Sequence, residues 1–137
     1  MRAVVDTSAW VSVVLSRQGR ARPILDALAS GRLTLVASEP TFAEMAEVLE
    51  RPELIRTGEA RRLARTLMAT IRDRADFVAI PGGLQLCRDP NDDPVIETVR
   101  EGRADVLVSE DKNLTDDLNV SGLIAFLQGI DCGLLQR

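Results

Sequence analysis

The sequence predicts an α/β protein, a three-layer α/β/α sandwich around a central, mainly parallel sheet of four to five strands. Short apolar runs alternate with segments whose apolar residues recur at helical spacing, and strands separated by helices pair in parallel. One run, residues 106–108, is apolar without interruption, which is typical of a strand buried on both faces. The length of 137 residues and the lack of a linker-like segment predict a single domain over residues 1–137.

The first part of the chain is predicted to hold two strands separated by two helices. Residues 3–5 form the first strand, and residues 9–15 follow as a short helix. Pro23 opens a second helix, because proline suits the first helical position, and Gly31 ends it. The second strand is residues 33–37.

Two longer helices, residues 38–51 and 59–73, are predicted next. The apolar stripe of the first recurs at i, i+3, i+4 and i+7 and consists of Phe42, Met45, Ala46 and Leu49. The second helix turns four apolar residues toward a core: Leu63, Leu67, Met68 and Ile71. Its four arginines, Arg61, Arg62, Arg65 and Arg72, lie largely on the other face.

The last part of the chain is predicted to complete the sheet. Residues 77–80 and 105–109 are the third and fourth strands, and residues 95–101 form a short helix between them after an acidic turn at residues 88–94. A helical turn at residues 114–118, an edge strand at Val120 and a helix at residues 121–128 are predicted to follow.

Composition excludes several classes of function. The chain has no histidine, which removes Ser-His-Asp and Cys-His catalysis, histidine general-base ribonuclease chemistry and histidine-ligated zinc. Cys87 and Cys132 are too few for a disulfide framework and lack zinc-site spacing, so both are predicted to be small buried hydrophobic residues. Any chemistry must then use carboxylates, hydroxyls, arginine or Lys112.

The net charge of −4 argues against a protein that coats nucleic acid generally, but it allows a nuclease whose acids are gathered at one metal site. No apolar run is long enough to span a membrane, and the first residues lack the layout of a signal peptide. We therefore expect a cytoplasmic protein without a membrane partner.

Acidic residues follow each predicted strand, directly or through the next helix. They are Asp6, Glu44, the group Asp89, Asp92 and Asp93, and Asp111. The carboxyl ends of parallel strands open onto one crevice, where several carboxylates would repel one another unless cations were present. Mg²⁺ or Mn²⁺ resolves that conflict, because hard divalent ions take oxygen ligands.

Each acid also has a structural interpretation. Asp6 could cap the helix that follows it, and Asp93 could do the same before Pro94. Asp89 opens a run with the composition of a type I turn, and Asp111 could cap a short turn. Glu44 could be a solvated helix residue, although it has no oppositely charged residue four positions away. Their joint placement favours the metal site.

Together these segments resemble the PIN-domain family of metal-dependent nucleases, and within it the VapC-like toxins of type II toxin-antitoxin pairs. The matching segments are residues 4–8, Glu44, residues 89–93 and residues 107–114. The resemblance extends from the first residue through about Phe126. It implies a PIN-like fold and a metal-dependent endoribonuclease that hydrolyses RNA phosphodiester bonds and is held inactive by a separate antitoxin, and a homodimer is also expected.

The resemblance also assigns residues to the site. Asp6, Glu44, Asp93 and Asp111 align with the family's four catalytic, metal-binding acids, which hold one or two Mg²⁺ or Mn²⁺ ions. Five residues align with surrounding positions that support them: Ser8, Asp89, Asp92, Ser109 and Asn113. The chain departs from the family twice. Asn113 stands where aspartate is common, and Glu110 replaces a frequent small residue. Both departures bear on the second metal more than on the first.

The predicted mechanism is metal-assisted hydrolysis by an activated water, which leaves a 3'-hydroxyl and a 5'-phosphate. Arg17, Arg20 and Arg22 could clamp flanking phosphates or could be solvated loop charges. A haloacid-dehalogenase-like phosphatase would need an acid at Ser8. A phospho-receiver domain would need an acid beside Asp6 and an acceptor aspartate after the third strand. A catalytically silent interaction module with the same fold remains the alternative from a different class.

Overall fold

The computed structural model describes residues 1–16, 21–87 and 89–110, with residues 21–24 described by their backbone alone. In chain order its elements are β1 (Arg2–Val5), α1 (Thr7–Leu15), α2 (Ala21–Ala29), β2 (Thr34–Ala37), α3 (Glu39–Leu49), α4 (Gly58–Arg74), β3 (Asp76–Phe77), a 3-10 turn (Pro90–Asp92), α5 (Asp93–Glu101) and β4 (Val106–Val108). The elements predicted for residues 114–128 and Cys132 lie outside the described residues.

The four described strands form one parallel sheet in the order β3-β2-β1-β4. Val5 at the end of β1 pairs with Val108 at the end of β4. The backbone N–H of Asp6 then donates to the carbonyl of Val108 at 2.8 Å, which continues the pairing by one residue. The predicted parallel α/β architecture is confirmed, and the carboxyl ends of β1 and β4 lie side by side.

Side chains that alternate along the strands divide the core into two layers. Ala3, Leu35 and Val106 pack with buried residues of α1, α2, α3 and α4 on one face. Val4 and its neighbours on the other strands pack with α5 on the opposite face. Because successive strand residues point to opposite faces, both sides of the sheet become hydrophobic and both are covered by helices. The result is the predicted three-layer arrangement.

The third strand is much shorter than predicted. The apolar run at residues 77–80 predicts four strand residues, but β3 is only Asp76–Phe77. The N–H of Val78 still donates to the carbonyl of Ala37 at 2.8 Å, after which the chain leaves the sheet. Gly82 and Gly83 adopt φ values of +79° and +83°, in the left-handed region that favours glycine. Val78, Leu84 and Leu86 pack against the apolar cluster of α5 instead of extending the sheet.

The helices predicted within the described residues are present, with shifted ends. α1 begins at Thr7 rather than at residue 9, because the Asp6 side chain caps it. α5 begins at Asp93 rather than at residue 95, since a 3-10 turn leads directly into it. α2 begins two residues before Pro23, which the first turn of a helix tolerates. No helix in the described part of the chain has the length and hydropathy needed to cross a bilayer.

Cys87 is only half-buried, so the prediction of full burial is wrong for this cysteine. It lies in the irregular segment before α5, at the edge of the apolar cluster, so part of its side chain remains exposed to solvent.

Candidate metal centre

Asp6 sits at the junction between β1 and α1. Its Oδ1 accepts a hydrogen bond from the N–H of Thr7 at 2.7 Å, so it caps the helix, and the residue is only 8% exposed. The start of a helix carries a partial positive charge that favours a carboxylate. Asp6 can therefore cap α1 and still face the crevice. The structure shows the capping role directly.

Two serines hold the other oxygen of Asp6. Ser109, just past β4, donates to Oδ2 at 2.8 Å, and Ser8 donates to the same atom at 3.2 Å. Ser8 also accepts from the backbone N–H of Glu110 at 3.2 Å. The predicted supporting positions Ser8 and Ser109 thus both contact Asp6, because the parallel register brings the ends of β1 and β4 together.

Glu44 approaches this group from α3. Thr7 donates to Glu44 Oε2 at 3.4 Å, a long and weak hydrogen bond, so Thr7 links the Asp6 and Glu44 positions. Glu44 as a whole is exposed, but its carboxylate is partly buried. This burial and, second, the negative charge of Asp6 raise the pKa of Glu44 above its ordinary value of 4.5. The two carboxylates therefore interact electrostatically.

Asp6, Thr7 and Glu44 line one pocket together with apolar residues from both layers. Val95 of α5 also lines it, so the start of α5 reaches this crevice. The pocket encloses about 20 Å³, which is room for about one water molecule or one ion rather than for a larger ligand.

Asp93, only 5% exposed, is tied to the backbone of the segment before α5. Its Oδ1 accepts from the N–H of Leu86 at 3.0 Å and from the N–H of Cys87 at 2.8 Å. Asp92 is buried immediately before it, and Asp89 accepts from the N–H of Asn91 at 3.0 Å within the 3-10 turn. Asp89 thus has the turn-forming role that its sequence also allowed, and Asp93 is a helix residue rather than the cap of α5.

Asp111 and Asn113 lie outside the described residues, as do Arg17 and Arg20 and the side chain of Arg22. Within residues 1–16, 21–87 and 89–110, no three acidic or cysteine side chains come close enough together to form a metal-binding group. The described part of the predicted site is therefore the Asp6 and Glu44 pair, with Asp93 held separately by the backbone.

The donor chemistry of this pair fits a divalent cation. Carboxylate and hydroxyl oxygens are the ligands that Mg²⁺ and Mn²⁺ prefer. The raised pKa of Glu44 reflects partial burial and repulsion from Asp6, and a cation held by these residues would offset that repulsion. Asp6 is also already oriented by Thr7, Ser8 and Ser109.

Sequence reasoning missed two contacts near the site. Glu97, four residues after Asp93 on α5, is 2% exposed and accepts from the N–H of Gly82 at 2.8 Å. Ser12 donates to Glu110 Oε2 at 2.5 Å and so fastens the end of β4 to α1. The helical spacing of Glu97 from Asp93 and of Ser12 from Ser8 could have indicated that both side chains lie near the site, but not which atoms they contact.

No curated protein and no solved structure matches the chain significantly. The family model for the PIN domain matches residues 2–113, which is most of the chain and includes every element described above. PIN domains are generally nucleases, and they typically use divalent metal ions. The chain therefore belongs to the PIN-domain family and has its nuclease-type α/β fold.

Proposed function

We propose that the protein is a metal-dependent endoribonuclease and the toxin of a toxin-antitoxin pair. The observation that carries the proposal is the pairing of Asp6 with Glu44 at the carboxyl end of the sheet, with Asp6 oriented by two serines. Membership of the PIN-domain family supports a nuclease. The choice of RNA and the antitoxin rest on the resemblance of residues 89–93 and 107–114 to VapC-like toxins.

Asp6, Glu44, Asp93 and Asp111 would hold Mg²⁺ or Mn²⁺. When bound, such an ion lowers the pKa of a water and offsets charge that develops on the scissile phosphate. Asp6 supplies an oriented carboxylate, because the helix start and the hydroxyls of Ser8 and Ser109 fix its plane. Glu44 supplies a second carboxylate from across the pocket, on a separate helix.

Single-turnover cleavage of a mixed RNA pool tests the activity, with Mg²⁺, with Mn²⁺ and with a chelator. Wild type should cleave only with metal and leave 5'-phosphate ends. Asp6→Asn should cleave RNA at least about 100-fold more slowly, because loss of a metal ligand should cost at least as much as loss of a residue that supports one. Its fold should persist because asparagine also caps helices well.

Glu47→Gln is the matched control for that experiment. Glu47 lies on the same helix as Glu44, but it is exposed and pairs with Arg51 at 2.9 Å. Its neutralisation should leave cleavage unchanged. Equal cleavage by wild type and Asp6→Asn would refute the catalytic assignment. Failure of wild type to cleave RNA or DNA with either metal would favour the interaction module.

The toxin role is tested in growing bacteria. Induced expression of the wild-type chain should arrest growth, whereas Asp6→Asn at equal abundance should not. Where a small reading frame adjoins the gene, its co-expression should restore growth if that frame encodes the antitoxin. Normal growth under wild-type expression, together with active enzyme in the cell extract, would contradict the toxin role but not the nuclease activity. The homodimer is tested separately by light scattering of the purified chain.

A further inference from the structure

Glu97 is a buried carboxylate that the proposed mechanism does not use. It lies on α5 among Val95, Ile96 and Val99, all of which are buried. Burying a charged group is costly unless hydrogen bonds compensate, and an apolar side chain would pack there without that cost. A carboxylate in this setting calls for a role beyond filling space.

Glu97 and Asp93 hold two points of the same irregular segment. Glu97 Oε2 accepts from the N–H of Gly82 at 2.8 Å, and Asp93 Oδ1 accepts from the N–H groups of Leu86 and Cys87. We call residues 82–87 the strap. The two carboxylates lie one helical turn apart on α5, so the helix is hydrogen-bonded to the strap at its beginning and at its end.

The strap has little regular structure to hold it otherwise. Residues 82–86 belong to no helix or strand, and the strap begins with the two left-handed glycines. Leu84 and Leu86 pack against the apolar cluster of α5. Hydrogen bonds that involve a charged acceptor are roughly twice as strong as neutral ones, so the Glu97 bond is a firm anchor for Gly82.

We propose that Glu97 is a positioning residue for Asp93. By anchoring the strap at Gly82, it keeps the N–H groups of Leu86 and Cys87 where they fix the plane of the Asp93 carboxylate for metal binding. This inference rests on the proposed function, in which Asp93 is a metal ligand. It assigns Glu97 no contact with metal or substrate.

Glu97→Gln tests the proposal, because glutamine keeps the size and one acceptor oxygen but removes the charge. Amide hydrogen exchange at Gly82, Leu86 and Cys87 should become about fivefold faster, as expected when a charged acceptor becomes neutral. Mn²⁺ affinity, measured by calorimetry on the full chain, should fall by about tenfold, the lower end of the effect of supporting residues.

Glu101→Gln is the matched control, one turn further along α5. Glu101 is exposed and pairs with Arg100 at 3.2 Å, so its neutralisation should change neither strap exchange nor Mn²⁺ affinity. A second comparison places Glu97→Gln in the Asp93→Asn background. If Glu97 acts through Asp93, the Glu97→Gln substitution should cause no further loss of Mn²⁺ affinity in the Asp93→Asn variant. An equal loss in both backgrounds would show that it acts by another route.

The wild-type chain gives a test that needs no variant. Since coupling between sites is reciprocal, Mn²⁺ binding should slow amide exchange at Leu86, Cys87 and Gly82. Mn²⁺ binding that leaves Gly82 exchange unchanged would overturn the proposal. So would a Glu97→Gln variant that melts earlier but keeps wild-type Mn²⁺ affinity. Absence of Mn²⁺ binding by wild type would instead refute the proposed function itself.

Discussion

Asp6 and Asp93 are both nearly buried acids at the start of a helix, yet different groups hold them. Serine hydroxyls and one helix N–H contact Asp6, whereas N–H groups of the strap contact Asp93. A hydroxyl can rotate and change from donor to acceptor, but a backbone N–H is fixed by the path of the chain. Asp6 can therefore adjust to a ligand locally, and the orientation of Asp93 depends on a whole segment.

Replacement of Asp93 should have the largest effect on stability. Asp93→Ala removes the acceptor of two backbone N–H groups and should lower the free energy of unfolding by about 2 to 5 kcal/mol. Asp93→Asn keeps an acceptor oxygen and should stay within about 1 kcal/mol of wild type while losing Mn²⁺ affinity. Urea unfolding measures both. Similar stability of the two variants would show that the strap bonds contribute little.

Gly102→Ala should destabilise the α5 layer without touching either acid. A Cβ at Gly102 would lie 2.2 Å from Cγ1 of Val36 and 2.9 Å from the backbone oxygen of Thr98. The helix end must then move, at a cost of about 1 to 3 kcal/mol. Urea unfolding measures the loss, and Mn²⁺ affinity should be unchanged. A large loss of affinity would mean that general loosening of α5 explains the Asp93 result.

Loss of the Asp6 hydroxyl partners should have a smaller effect on stability and a clear effect on metal binding. Ser109→Ala and Ser8→Ala should each cost about 1 kcal/mol, because Asp6 keeps its other donors. Mn²⁺ affinity by calorimetry should fall by about tenfold. Ser12→Ala is the control on α1, since Ser12 contacts Glu110 rather than Asp6. Equal affinity losses for Ser8→Ala and Ser12→Ala would contradict the specific role of Ser8.

Neutralisation of the exposed carboxylate of Glu39 should have the smallest effect on stability. Arg72 donates to both oxygens of Glu39 and lowers the pKa of that carboxyl below 4.5, chiefly through the hydrogen bond. The ionised pair stabilises the fold above pH 4.5, and its contribution is lost as the pH falls through the lowered pKa. Glu39→Gln should therefore melt slightly earlier at neutral pH and like wild type in acid. A difference that persists in acid would assign the effect to packing.

Sequence periodicity predicts most of the fold because local chemistry controls it. Apolar spacing predicts parallel strands whose carboxyl ends share one edge of the sheet. The pairing of β1 with β4 in the structure then brings Asp6 and Ser109 together. The short β3 does not follow, because Val78 and the residues after it are apolar whether they extend the sheet or cover α5.

The acidic residues of the site can be identified from the sequence, but their hydrogen-bond partners cannot. Glu44 reaches Thr7 only because α3 packs beside α1, which depends on tertiary packing. The bonds from the strap to Asp93 and Glu97 involve backbone N–H groups, which every residue carries and which no side-chain pattern reveals. Spacing along a helix is the signal that remains, and it places Glu97 one turn from Asp93.

The most direct test of the central claim is a Mn²⁺ titration of the wild-type chain, Asp6→Asn and Glu44→Gln by calorimetry at one neutral pH. Wild type should bind Mn²⁺, and each variant should bind it at least about 100-fold more weakly while still folded, because each loses a ligand rather than a supporting group. Glu47→Gln should bind like wild type. Unchanged Mn²⁺ affinity in both Asp6→Asn and Glu44→Gln would contradict the assignment of this pair as a metal site.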